Sequence, residues 1–156
     1  EGRSHEGDIT ALDRAVASML QHGGPGTLRL ARLGKAFAKA NGIIDAFHGL
    51  LNSVSWICLA ISFLQSERLL SAFEDDGHER TVVVNTSCLS RFFGFVRRCC
   101  SEPHVVSLRR RNSDGLLGPS LERRNGALLF IAHPLIASKN LAHRLSSAGA
   151  KKTAEL

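Results

Sequence analysis

Two lysines, Lys35 and Lys39, stand four residues apart, and a serine, Ser53, follows Lys35 by 18 positions. On a helix that spacing sets two ammonium groups side by side, a geometry able to hold neighbouring phosphates of one ligand. A serine at a helix start can donate to such a ligand or simply cap the helix. The lysines have a plain alternative, a solvated pair on an amphipathic helix, which is the commoner arrangement; the residues alone leave both open.

The elements that must position these groups span residues 28–65, LRLARLGKAFAKANGIIDAFHGLLNSVSWICLAISFLQ. Thr27 can cap a helix in which Leu30, Leu33, Phe37 and Ala40 share one face while Arg29, Arg32, Lys35 and Lys39 recur on another. Asn41 and Gly42 stop it. Asn52 and Ser53 offer N-caps for the next helix, which is apolar nearly all round from residue 54 to 64 and so belongs in the middle of a core. The junction of the two helices is the expected functional centre.

Upstream, a polar lead-in over residues 1–8 precedes an apolar helical period over residues 9–21, with Asp8 as N-cap and the run from His22 to Gly26 ending it. Downstream, Val82, Val83 and Val84 form a short strand or an extended lead-in. Leu89, Phe92, Phe93 and Val96 then repeat with helical spacing up to Arg97 and Arg98, which marks the phenylalanines as core. Residues 104–108 and 128–132 read as short strands, most simply a long-looped hairpin, and residues 138–145 as a last helix before a polar tail over 148–156. The expected fold is α+β and mainly helical, a helical bundle with a small β-hairpin, in one domain over residues 9–147.

Net charge is +6, with 15 Arg against 5 Lys, and arginines cluster at 97–98, 109–111 and 123–124. Arginine suits planar phosphate contacts, so a polyanionic partner and a merely solvated basic surface both remain open. The four cysteines, Cys58, Cys88, Cys99 and Cys100, contain no C-x-x-C pair, which points away from zinc and disulfides and toward reduced thiols in an intracellular compartment, mitochondria included. No signal peptide is visible, and the longest apolar run, residues 54–64, is about half a membrane span. The first residue is not Met, so a fragment or processed product is expected. Asp75 and Asp76 are adjacent in a glycine-containing stretch and read as a solvated turn, not a metal site; His48 and His133 have no catalytic partner at motif spacing.

Two separated stretches carry a resemblance. KAFAKANGIIDAFHGLLNSVSW, residues 35–56, resembles the K-x-W-A-K…G-T-L-S-S-Y segment of the terminal uridylyltransferase and poly(A) polymerase family of RNA nucleotidyltransferases. LLFIAHPLIASKNLAHRL, residues 128–145, resembles that family's I-E-D-P-F…N segment, and HVVSLRRR, residues 104–111, looks like its hairpin strand. The resemblance covers roughly residues 9–145 in the right order.

It implies a central, poly(A) polymerase-associated domain, a helical bundle that closes over a nucleotide against a separate catalytic domain. That catalytic domain would supply a Gly-Ser loop and carboxylates for Mg²⁺ or Mn²⁺, transferring a nucleotide from UTP or ATP to an RNA 3′ end by a two-metal mechanism. It further implies that Lys35 and Lys39 grip the triphosphate and that Ser53 lies at the nucleotide. Val54 stands where the family stacks an aromatic residue on the base, which forgoes about 1–3 kcal/mol of stacking. Asp13 stands for the ribose asparagine, Ala132 and His133 for the acidic pair, Ile136 for an acidic base reader, and Lys139 where some uridylyl-selective members place histidine. No Gly-Ser loop or D-x-D occurs, so this chain alone is expected to be inactive and to bind no metal. Expected partners are UTP or ATP, an RNA 3′ end and the catalytic domain, with no membrane. The alternative is a non-catalytic descendant acting as an RNA-processing or ribonucleoprotein scaffold.

Overall fold

A computed structural model of the chain describes residues 3–70, 82–108, 127–136 and 138–155. Five α-helices and two strands follow one another: α1 Arg3–His22, α2 Gly24–Ala40, a 3₁₀ turn Ala46–His48, α3 Ser53–Ser66, α4 Thr86–Ser101, β1 His104–Val106, β2 Leu129–Ile131 and α5 Ser147–Ala154. The fold is thus α+β and mainly helical. None of the described helices is long and apolar enough to cross a membrane.

The run of glycines after His22 breaks the chain as expected, but α2 begins at once. Gly23 N–H donates to Met19 O to close α1. Gly24 takes φ 72°, open to glycine without strain, and Pro25 occupies the first turn of α2, where a missing N–H costs nothing. Thr27 therefore lies inside the helix instead of capping it, its buried hydroxyl donating to Gly23 O at 2.6 Å. The buried stripe of α2 is Thr27, Leu30, Ala31, Gly34 and Ala38; Leu33 and Phe37 lie at its rim and Ala40 is exposed. Small residues turn this stripe inward because Gly34 admits the Phe92 ring, which a Cβ would meet at 2.9 Å.

Helix α3 is buried nearly all round and packs on α1, α2, α4 and both strands. Asn52 is its N-cap, accepting from Ser55 N–H at 2.7 Å. Opposite, α4 is capped by Asn85 and buries Cys88, Phe92, Phe95, Val96, Cys99 and Cys100, a stripe of helical period. Phe92 is the hub, with Trp56 and Phe63 ring centroids at 6.5 and 5.6 Å in edge-on geometry. Val82, Val83 and Val84 belong to no strand among the described residues; Gly26 leaves room for the Val82 carbonyl, which a Cβ at 26 would strike.

Helix α1 begins at Arg3, so Asp8 lies inside it instead of capping it. Three further expectations are corrected here. The strands do pair with each other, but in parallel, with His104 beside Leu129 and Val106 beside Ile131, so they are not a hairpin. A tight turn joins only antiparallel strands, and the 22 residues between these two meet the length that a parallel crossover requires. Residues 138–145 are turns, not a helix, because their backbone bonds to the sheet: Leu141 N–H donates to Ile131 O and Lys139 O accepts from His133 N–H. The final helix is α5, which begins one residue before the expected polar tail and takes up most of it. Its buried residues are the small Gly149, Ala150 and Thr153, so no large apolar period announces it; Gly149 packs on the Gly49 carbonyl so tightly that a Cβ would collide.

All four cysteines are free and buried. Burial pushes the thiols of Cys58, Cys99 and Cys100 up from about 9 to about 12. Raised folded values keep the thiols neutral, so their contribution to stability is whole below pH 9 and is lost as pH rises toward 12. The expected loss is on the order of 1.4 kcal/mol per thiol per pH unit above 9. Thermal unfolding at about pH 8 and about pH 10 checks this: a midpoint that does not fall at the higher pH would mean that these thiols are not buried.

Candidate functional site

Lys35 and Lys39 project from the last two turns of α2, Lys35 half-buried at the edge of the stripe and Lys39 exposed. Neither makes an ion pair or hydrogen bond with any described residue, which leaves both ammonium groups available. Ser53 is the first residue of α3 and exposed. Because Asn52 supplies the cap, the Ser53 hydroxyl is not consumed by the helix start. Val54, next to it, is half-buried and packs against the core.

A second segment is drawn onto this helix start. Asn52 Nδ2 donates to Leu141 O at 3.1 Å, and the Ser55 hydroxyl donates to the same carbonyl at 3.4 Å. Leu141 is two residues past Lys139, so the segment bearing Lys139 is tied to the first turn of α3, where Ser53 and Val54 lie.

Asn140 holds that segment in turn. Its Oδ1 accepts from Ile131 N–H at 2.9 Å and Ala142 N–H at 2.8 Å, while its Nδ2 donates to Leu129 O at 3.1 Å. One amide side chain thus bonds β2 and the turn beyond it. Sequence reading assigned no role to Asn52 or Asn140 beyond a cap and a motif letter. Asn140 stands between Lys139 and Leu141, and its partners in β2 lie 9 and 11 positions away, so no local signal singles it out.

His133 is only 4% exposed, and its Nδ1 accepts from Leu135 N–H at 3.1 Å and Ile136 N–H at 3.2 Å. Backbone N–H groups must donate, so Nδ1 carries a lone pair there and the imidazole closes the turn around Pro134. Its ring serves the fold at that nitrogen. Lys139 is exposed and without a described side-chain partner. Asp13 is exposed on α1, and no described hydrogen bond or ion pair links it to the α2–α3 junction. The structure therefore ties Ser53 and Val54 to the Lys139 segment, and carries the lysine pair on α2 and Asp13 on α1, two helices that both pack on α3.

The connection between α2 and α3 is itself ordered by side chains. Asp45 Oδ1 accepts from Phe47 N–H and His48 N–H at 2.9 and 3.4 Å, and its other oxygen lies 2.6 Å from His48 Nδ1. The His48 hydrogen bond holds the Asp45 carboxyl below its usual range. His104, at the start of β1, is lowered by burial and by nearby Arg98, which favours its neutral ring.

Among the described residues no group of three His, Cys, Asp or Glu could hold a metal ion. Asp75, Asp76 and the arginines at 109–111 and 123–124 lie outside the described residues. No family model matches the chain, and neither a curated protein nor a solved structure matches it at a significant level.

Proposed function

We propose that this chain is the central, nucleotide-recognising domain of a template-independent RNA nucleotidyltransferase, taking UTP or ATP and working beside a catalytic domain that supplies the carboxylates and Mg²⁺ or Mn²⁺. The observation that supports this most is the tie from Asn52 to Leu141, which gathers Ser53 and the Lys139 segment at the start of α3, while α2, the helix that carries the two lysines, packs on α3. Lys35 and Lys39 then neutralise the triphosphate, whose charge is answered by two ammonium groups with no carboxylate partner among the described residues. The free hydroxyl of Ser53 donates to the nucleotide, and Lys139 lies on the side of the base. The role of His133 is to shape the turn, its Nδ1 receiving the backbone N–H groups that an aspartate oxygen would receive in an Asx turn.

Two observations favour the second reading, a non-catalytic RNA-processing or ribonucleoprotein scaffold. Val54 is half-buried against the core and offers no ring to a base, and His133 is committed inward. Calorimetric titration of the chain with UTP and with ATP separates the two. Nucleotide recognition requires saturable binding that Lys35→Ala weakens about 10- to 100-fold, the range of a lost charge-assisted contact. Absence of binding to either nucleotide, together with salt-steep RNA binding, would favour the scaffold.

A further inference from the structure

We propose that Phe47 and Arg144 form a stacking platform for an unpaired base of single-stranded RNA. Phe47 is 89% exposed, more than any other large apolar side chain among the described residues. It is not a floppy loop residue. The Asp45 carboxylate fixes the backbone N–H groups of Phe47 and His48, Asp45 O accepts from Leu50 N–H at 2.9 Å, and Gly49 closes the turn at φ 74°, where a side chain would be strained. Behind the turn, Ser146 N–H and its hydroxyl both donate to Gly49 O, at 2.9 and 3.1 Å. A ring held outward on a turn bonded on both sides is presented, with little ordering left to be done on binding.

The Arg144 guanidinium carbon lies 5.4 Å from the Phe47 ring centroid, covering one face as a cation–π partner and leaving the other open. The surroundings select a polyanion. Lys152 Nζ is anchored on Gly42 O at 2.8 Å, Lys39 stands in the last turn of α2 where the same connection begins, and Asp45, the only acid between residues 41 and 52, is engaged by the His48 ring. An exposed aromatic ring with a guanidinium on one face suits a base on the open face and a phosphate on Arg144, the combination that binds single strands without reading sequence. This rests on the RNA-binding part of the proposal above and is independent of the nucleotide contacts at Lys35, Lys39 and Ser53.

Fluorescence anisotropy with a short labelled oligouridylate, and with a fully paired RNA hairpin of similar charge, tests it on the whole chain. Phe47→Ala, at an exposed position that does not hold the core, is expected to weaken oligouridylate binding about 10-fold and leave hairpin binding unchanged, while Phe47→Trp retains it. Arg144→Ala is expected to flatten the salt dependence by about one phosphate contact. Oligouridylate affinity within about two-fold of the intact chain in Phe47→Ala, equal losses for both RNAs, or no oligouridylate binding by the intact chain would overturn the platform. Parallel UTP titration keeps the two proposals apart: Phe47-dependent RNA binding without UTP binding upholds the platform and removes the nucleotide site alone, and UTP binding without it does the reverse.

Discussion

Asn140→Ala is expected to cost about 3–5 kcal/mol of stability, read as a lowered urea midpoint. Three hydrogen bonds leave with one side chain, and the groups abandoned include Ile131 N–H at a fully buried position of β2. A buried polar group left unpaired costs about 1–3 kcal/mol, so three partly buried ones account for a loss of this size. Against a typical domain stability of 5–15 kcal/mol such a loss is severe. Asn140→Asp keeps both accepted bonds and loses the donation to Leu129 O, so it should fall between the alanine variant and the native protein. A cost below about 1 kcal/mol for Asn140→Ala would show that the turn does not depend on this amide.

Trp56→Ala is expected to be of similar size, about 3–5 kcal/mol, for a different reason. Trp56 is fully buried in α3, edge-on to Phe92 and facing the Gly34 side of α2, so its removal opens a cavity that the helices cannot close without moving. Its Nε1–H has no acceptor among the described residues. Trp56→Phe removes that orphaned donor along with some volume, and the two effects oppose each other. Chemical unfolding should therefore find Trp56→Phe well below half the cost of Trp56→Ala. Equal costs would mean that the indole N–H contributes a bond after all.

Where the sequence was legible, it was because large side chains recur with one period. The α3 run from 54 to 64, the α4 period of Leu89, Phe92, Phe93 and Val96, of which Phe92 and Val96 are fully buried, and the break after His22 all belong to this kind. Elements built from small residues were not legible: the turn of α2 toward Ala31, Gly34 and Ala38, and the whole of α5, bury glycine, alanine and threonine, which no hydrophobic period reveals. The direction of β2 was not legible either, since a three-residue strand carries the same residues parallel or antiparallel. At the candidate site, the lysine pair and Ser53 could be read from spacing alone. What brings the Lys139 segment to them is Asn52 reaching across 89 positions to Leu141. Such long-range side-chain bonds leave no local pattern. Phe47 likewise reads as one more apolar residue until its exposure and the Asp45 turn are seen together.

The claim that the α2–α3 junction receives a nucleoside triphosphate is tested most directly by following backbone amide signals in solution while UTP, and separately ATP, is added. Lys35, Lys39, Ser53 and Lys139 should shift together along one saturating curve, and Lys35→Ala should move that curve to about 10- to 100-fold higher nucleotide concentration at near-native fold. Shifts confined to other surfaces, or no shift at these four residues at nucleotide concentrations that saturate binding elsewhere, would contradict it.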